Sequence, residues 1–333
     1  MISVRPLLVL AVTAAFTTGC GAEVQESAHA STGAAVTVTN CGVPLTVDGV
    51  PDRVVTNDTG ITEMMFALGL ADHLAGYTTY PGKERDIASS PWRADFERTP
   101  ELGEAFTKEV VQAAAPDFVF AGWSYGFKDT TGLTPEWVRS IGADPYLLTE
   151  SCRQPGTHRR GVMKPFDALY TDLANLGEIF GVQDKAEELI AEYREQVDNA
   201  DEGAPQEPAR VFLFDSASPE PFTSGRRAAP SQIIREAGGA NIFDDIDDSW
   251  TSTSWEAAGK RDPQAIVIVD YGAGPENTVQ AKIEQLRHQP LLAETTAVRE
   301  NNIIALPYGA LVESPRNPQA TTTVAEFLRA NGY

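Results

Sequence analysis

Long apolar runs, histidine, cysteine and positive charge are all scarce in this sequence, and each scarcity removes a class of function. No stretch approaches the roughly 18 consecutive apolar residues that a bilayer-spanning helix needs. The four histidines, His29, His73, His158 and His288, are scattered. They argue neither for a catalytic base nor for the converging imidazoles that capture of a bare zinc or manganese ion calls for, so that reading stays a distant alternative. The patterns His-Glu-x-x-His and Gly-x-x-x-x-Gly-Lys are absent, so neither an enzyme nor a bound cofactor is expected, and no catalytic or metal-ligating set is assigned. Only 26 Lys and Arg stand against 47 Asp and Glu, a formal charge of -21. Such a surface repels phosphate backbones, which argues against nucleic acid as a partner. What is present fits a folded chain: 42% hydrophobic and 22% charged residues over 333 positions, enough for two lobes of about 100–150 residues each.

The N-terminus is the most informative stretch. A short start with one basic residue, Arg5, precedes the ten apolar residues Leu7 to Phe16, the pattern of a signal-peptide core. It ends in Thr17-Thr18-Gly19-Cys20, which resembles the bacterial lipobox, in which the cysteine is lipidated. Thr17 stands where that box usually has leucine. The reading is a signal peptide over 1–19, lipidation at Cys20, and a small, polar, flexible tether over 20–40. The protein is therefore expected outside the cytoplasm, held by lipid at the outer face of the cytoplasmic membrane or in the periplasm. Cys41 and Cys152 remain as an even pair in an oxidising compartment, where a disulfide is the economical reading and two buried thiols the alternative.

Beyond the tether, short apolar runs alternate with helical patterns. Arg53–Thr56, Leu74–Tyr77, Asp117–Ala121 and Pro145–Leu148 read as strands of a first lobe spanning 41–182. Arg210–Phe214, Ala265–Asp270 and Ile303–Leu306 read as strands of a second spanning 203–333. Ile61, Met64, Met65 and Leu68 follow helical spacing, and helices are also expected over 107–115, 134–141, 231–237 and 318–330. Ala186, Leu189, Ile190, Tyr193 and Val197 predict a helix over 183–202 joining the lobes. The expected fold class is α/β: two Rossmann-like lobes with mostly parallel sheets, joined by a single long helix.

Two segments share one grammar. Glu109 precedes Pro116, and Glu256 precedes Pro263, each by seven residues, and each proline opens an apolar strand. Two equivalent exposed carboxylates on twin lobes suit a partner with two basic sockets. Thr253-x-x-Glu256 also reads as a capping box, so helix stability alone competes with that role. Together with Arg53-Val54-Val55, Glu63-x-x-x-Ala67-Leu68-Gly69, Pro116-Asp117-Phe118-Val119, Gly238-Gly239-x-Asn241-Ile242-Phe243, Ser254-Trp255-Glu256, Asp262-Pro263 and Ala297-Val298-x-x-Asn301, these segments resemble the iron-complex and cobalamin type of ABC-importer solute-binding proteins. The resemblance spans about residues 52 to 331. It implies two α/β lobes bridged by a helix with little hinge motion, ligand in the cleft, and docking of Glu109 and Glu256 onto a permease dimer with its cytoplasmic ATPase.

In open α/β sheets, ligand lies beyond the carboxyl ends of the strands. Here those ends are Asn57-Asp58-Thr59, Gly122 to Tyr125, Ser216 to Arg227, Asp270-Tyr271 and Pro307-Tyr308. The expected cleft residues are Trp123, Tyr125, Phe222, Arg226, Arg227, Trp250, Tyr271 and Tyr308, aromatic faces for a planar or greasy chelate and cations for its oxygens. Pro221-Phe222-Thr223-Ser224-Gly225, Trp250 and Trp123 are similar to the cobalamin-binding branch of that family. A ferric siderophore-type complex is the first expectation for the solute, and a corrinoid or other cofactor precursor the alternative.

Overall fold

The computed structural model describes Met1 and residues 33–200, 207–272, 274 and 277–333. The expected signal peptide (apart from Met1), Cys20 and the start of the tether lie outside the described residues. The end of the tether does not. Residues 36–40 form strand β1 (Val36–Asn40), paired antiparallel with β2 (Val43–Val47), so the first lobe begins earlier than expected. Asn40 explains the placement: it donates to the Leu147 carbonyl at 2.8 Å and accepts from the Leu147 amide at 2.9 Å. The turn between the two strands carries Cys41, bonded to Cys152 with Cα atoms 5.3 Å apart.

Lobe one continues through β3 (Val54–Asn57), α1 (Thr59–Ala67), β4 (Leu74–Thr78), α2 (Glu84–Ala88), α3 (Arg93–Arg98), β5 (Glu101–Gly103), α4 (Lys108–Ala113), β6 (Phe118–Trp123), β7 (Gly126–Phe127), α5 (Pro135–Ser140) and β8 (Asp144–Leu147). Its sheet runs β5-β4-β3-β6, with β7 and β8 both pairing with β6, and every pairing is parallel. Val54, Val55, Phe118, Val119 and Phe120 are fully buried, as a sheet covered by helices on both faces requires.

Two 16-residue helices follow, α6 (Pro165–Phe180) and α7 (Gln183–Asp198). Helix α6 starts against lobe two, where the Phe166 amide donates to Gln232 at 2.9 Å. It ends in lobe one, with Phe180 edge-on to Phe118. Gly181, at φ 70°, closes α6 in the left-handed conformation that ends helices, and α7 packs back along it, Arg194 over the Tyr170 ring. The expected helix over 183–202 is α7, ending at Asp198, and α6 precedes it within the span 41–182. Its own stripe of Phe166, Leu169, Leu173, Leu176 and Phe180 is buried.

Lobe two comprises β9 (Ala209–Phe214), β10 (Ser216–Ala217), β11 (Pro221–Ser224), α8 (Ala229–Glu236), β12 (Gly239–Asn241), β13 (Trp250–Ser252), α9 (Trp255–Lys260), β14 (Ala265–Asp270), α10 (Val279–His288), α11 (Pro290–Ala293), α12 (Thr296–Arg299), β15 (Ile303–Pro307), α13 (Tyr308–Leu311) and α14 (Asn317–Ala330). Its main sheet, β12-β9-β14-β15, is again parallel, and β10-β11-β13 add a small antiparallel sheet that the sequence pattern did not show. The lobes meet closely. A Cβ on Gly60, at the start of α1, would lie 2.4 Å from the Glu313 carbonyl oxygen, so only glycine fits there. Arg316 reaches from lobe two to Glu63 and Asp86 of lobe one, a single buried cation set between two buried carboxyls across the seam. Among the described residues no helix is long and apolar enough to cross a membrane.

Candidate functional site

The carboxyl ends of seven strands of the two parallel sheets, joined by residues of the small antiparallel sheet, line a cavity of about 440 Å³. From lobe one come Asn57 and Asp58 after β3, Thr79 and Tyr80 after β4, Glu104 to Phe106 after β5, and Ser124 to Gly126 after β6. From lobe two come Asp215 after β9, Phe222 in β11, Trp250 in β13, Tyr271 after β14 and Tyr308 after β15. This is the mouth that parallel sheets create at their carboxyl ends. Gly126 permits it locally: at φ 116°, a Cβ there would lie 2.6 Å from the Phe106 ring.

Aromatic side chains build the walls. Tyr271 and Tyr308 stack with ring centres 4.9 Å apart, and Tyr80 meets Tyr308 edge-on at 4.8 Å. Phe222 and Trp250 stack at 6.0 Å. Two of the lining carboxylates are tied to phenols: Tyr308 donates to Asp58, and Tyr271 donates to Asp215 at 2.8 Å. Burial pushes the Asp58 carboxyl up to about 7 and raises Asp215 as well, against the hydrogen bonds that favour their charged forms. Burial also raises Tyr80, Tyr125, Tyr271 and Tyr308, so all four are neutral phenols at pH 7. The lining cations among the described residues are Arg160 and Lys128, facing the acids Asp58, Glu104 and Asp215. The Arg160 guanidinium is aimed by the Trp250 carbonyl at 2.8 Å and its backbone amide is held by Asp248 at 2.9 Å. The indole NH of Trp250 is buried with no acceptor among the described residues. Nor do the described residues include a group of three or more His, Cys, Asp or Glu side chains able to hold a metal ion.

Of the expected cleft residues, Tyr125, Phe222, Trp250, Tyr271 and Tyr308 line the cavity, and three do not. Trp123 lies under Arg153, whose guanidinium carbon sits 3.4 Å from the centre of its ring. Arg226 and Arg227 both turn to Asp247, at 2.9 and 2.8 Å, and hold its carboxyl far below the usual range. Two adjacent cations do not reach the cavity because an acid twenty positions away neutralises them. Arg160, Tyr80, Phe106 and Asp215 were missed. Tyr80 follows from the strand-end rule once β4 is drawn to Thr78, and Asp215 directly follows β9, whose end at Phe214 the apolar run already marked. Arg160, on the irregular segment before α6, gave no local signal.

Glu109 and Glu256 occupy the same place in their lobes, the second residue of a six-residue helix, and both are exposed. Thr107 caps α4 by accepting from the Val110 amide at 3.3 Å. Ser254, not Thr253, caps α9 by accepting from Ala257 at 3.1 Å. Hydrogen bonds from its own amide and from Thr107 lower the Glu109 pKa, and Lys260 lowers that of Glu256, with which it forms an exposed ion pair at 2.6 Å. Each helix opens within six residues along the chain of a cavity-lining aromatic, Phe106 or Trp250.

The sequence model of the periplasmic binding protein family matches residues 54–309. The chain is 25% identical over 242 residues to the vitamin B12-binding protein of Yersinia pestis (strain Pestoides F), covering 71% of this chain and 75% of the relative. Among solved structures, a periplasmic binding protein from Veillonella parvula DSM 2008 aligns over 90% of this chain and 99% of its own, with a TM-score of 0.74 and 26% identity. The ABC-type Fe3+-hydroxamate transport system of Saccharomonospora viridis DSM 43017 aligns over 88% and 98%, with a TM-score of 0.72 and 24% identity, a likeness of fold. The family match covers most of both lobes, including the strand ends that form the cavity. The chain belongs to the periplasmic binding protein family.

Proposed function

We propose that this protein is the extracytoplasmic solute-binding subunit of an ABC importer. It is held to the membrane by lipid on Cys20 and carries an uncharged, oxygen-rich ferric chelate of the hydroxamate siderophore class. The observation that carries this reading is the interlobe cavity, aromatic on its walls and close to balanced in charge. A ferric complex of three catecholates keeps a triple negative charge, and this cavity, with two cations facing three carboxyls, holds no surplus of positive charge to offset it. Three singly ionised hydroxamates neutralise Fe3+ outright. Their complex presents a greasy rim to Phe222, Trp250, Tyr271 and Tyr308, and oxygens to Arg160. The volume falls in the usual range of about 300–1,000 Å³ for small-molecule pockets. Docking is assigned to Glu109 and Glu256, which meet two basic sockets of a permease dimer and set register more than affinity.

The test is a thermal-shift series with a ferric trihydroxamate, a ferric tricatecholate and cobalamin, each well above its expected Kd. The trihydroxamate raises Tm and the tricatecholate leaves it unchanged, since only a ligand of the native state stabilises it. A shift with the tricatecholate, or with cobalamin alone, overturns the hydroxamate assignment.

A further inference from the structure

The echo between the lobes extends beyond the glutamates, at one constant offset along the chain. Glu109, Ala115, Pro116 and Asp117 correspond to Glu256, Asp262, Pro263 and Gln264. In both lobes the residue before the proline takes a positive φ, 45° at Ala115 and 40° at Asp262. Left-handed backbone strains a residue with a side chain, and the following proline narrows its choices further. In both lobes an arginine at the start of the first sheet strand grips that strained turn. Arg53 donates from Nε to the Ala115 carbonyl at 2.9 Å and from Nη2 to the Ala114 carbonyl. Arg210 donates from Nε to the Asp262 carbonyl at 2.9 Å and to the Arg261 carbonyl at 3.1 Å, and its Nη2 reaches the Asp262 carboxylate at 3.0 Å. Each arginine is gripped in return. Asp117 accepts from the Arg53 amide at 3.0 Å, and Gln264 accepts from the Arg210 amide at 3.0 Å.

We propose that Arg53 and Arg210 are positioning residues for permease docking: each guanidinium fork fixes the carboxyl end of the short helix whose amino end presents Glu109 or Glu256. This rests on the docking role of those glutamates. A helix of six residues has little stability of its own, so its aim depends on what holds its ends. At the amino end that is one side-chain cap. At the carboxyl end it is a cation on the last carbonyls, where charge and helix dipole agree. The fork engages the two adjacent carbonyls that a lysine cannot span in the same way. Neither arginine lines the ligand cavity, so the clamp acts on the partner surface and leaves solute affinity alone.

Two measurements test it on the full-length protein. The first follows the ATPase activity of the reconstituted permease against the concentration of binding protein. Arg53→Ala/Arg210→Ala raises the half-maximal concentration about tenfold, with maximal rate and solute affinity unchanged, and Arg53→Lys/Arg210→Lys recovers part of the loss. A half-maximal concentration within twofold of the parent overturns the proposal. If Glu109→Lys/Glu256→Lys also leaves stimulation intact, the docking reading itself has failed. The second is independent of that reading. Nitroxide labels on Glu109→Cys and Glu256→Cys report the spacing of the two helix ends, and the arginine variants broaden that distance distribution. An unchanged distribution in a folded variant overturns the clamp.

Discussion

At the scale of single residues, the cavity is decided by which side chain finds a partner first. Trp250 and Trp123 illustrate it. Both are tryptophans near strand ends, but Trp250 presents its face to the cavity beside Phe222, whereas Trp123 is covered by Arg153. Trp250→Ala is expected to weaken binding of a ferric trihydroxamate by about 2 kcal/mol, roughly thirtyfold, while Trp123→Ala stays within about twofold. Titration of the remaining tryptophan fluorescence measures both, and equal losses for the two variants would remove Trp250 from the wall. The aromatic positions were legible because strand ends mark the mouth of a parallel sheet. The cations were not, because a guanidinium on a long stem goes to the nearest carboxylate, and Asp247 is brought to Arg226 and Arg227 only by the fold of lobe two.

At the scale of elements, the apolar runs and their punctuation gave seven strands of the two parallel sheets to within a residue or two, β14 at its full length of Ala265–Asp270. The elements that escaped notice are those whose stability comes from a neighbour. Strands β1 and β2 form a hairpin of alternating pattern that sits on lobe one through Asn40 and the Cys41–Cys152 bond. The bond closes a span of 111 positions, worth about 4–5 kcal/mol by restricting the unfolded chain. Replacing both cysteines by serine is therefore expected to lower Tm by roughly 10 °C. Calorimetry of the two proteins checks it, and equal melting temperatures would show that the hairpin is held by its other contacts alone. Helix α7 was visible as an amphipathic stripe against charge, and α6 carries a stripe of its own, Phe166, Leu169, Leu173, Leu176 and Phe180, on a helix with far fewer charges.

At the scale of the whole molecule, the seam between the lobes gathers buried acids. Glu313 of lobe two is 1% exposed, its Oε2 accepting from the Glu150 amide of lobe one at 2.8 Å. Its Oε1 finds no donor among the described residues, and Asp172 of α6 is an acidic neighbour that raises its pKa further. Asp172 already accepts from Tyr146 at 2.7 Å and from the Thr149 amide at 2.8 Å. Glu150 accepts from Ser249 at 2.7 Å and from the Ala229 amide at 3.1 Å. Glu313, with the fewest donors, keeps the proton. Burial and its two acidic neighbours raise its pKa well above 4.5, while Asp172 rises to about 6 and Glu150 to about 7. The nearby cations do not cancel this: Arg316 is taken by Glu63 and Asp86, and Arg160 acts on Glu150. The native state thus holds protons where the unfolded chain has lost them, so stability falls as pH rises from about 4.5 through 7. Tm is expected to drop between pH 5 and pH 8, and Glu313→Gln, which mimics the protonated acid, flattens part of that drop. Identical slopes for the two proteins would show that Glu313 does not titrate there.

By itself the sequence determined the α/β alternation, the two lobes and the twin glutamates, because apolar period, proline and glycine act over a few residues and are written locally. Only the tertiary structure decided which charges meet, which tryptophan is covered and which carboxyl stays neutral. Those outcomes depend on distances between segments far apart in the chain and on the loss of water between them, and neither is encoded in any local pattern.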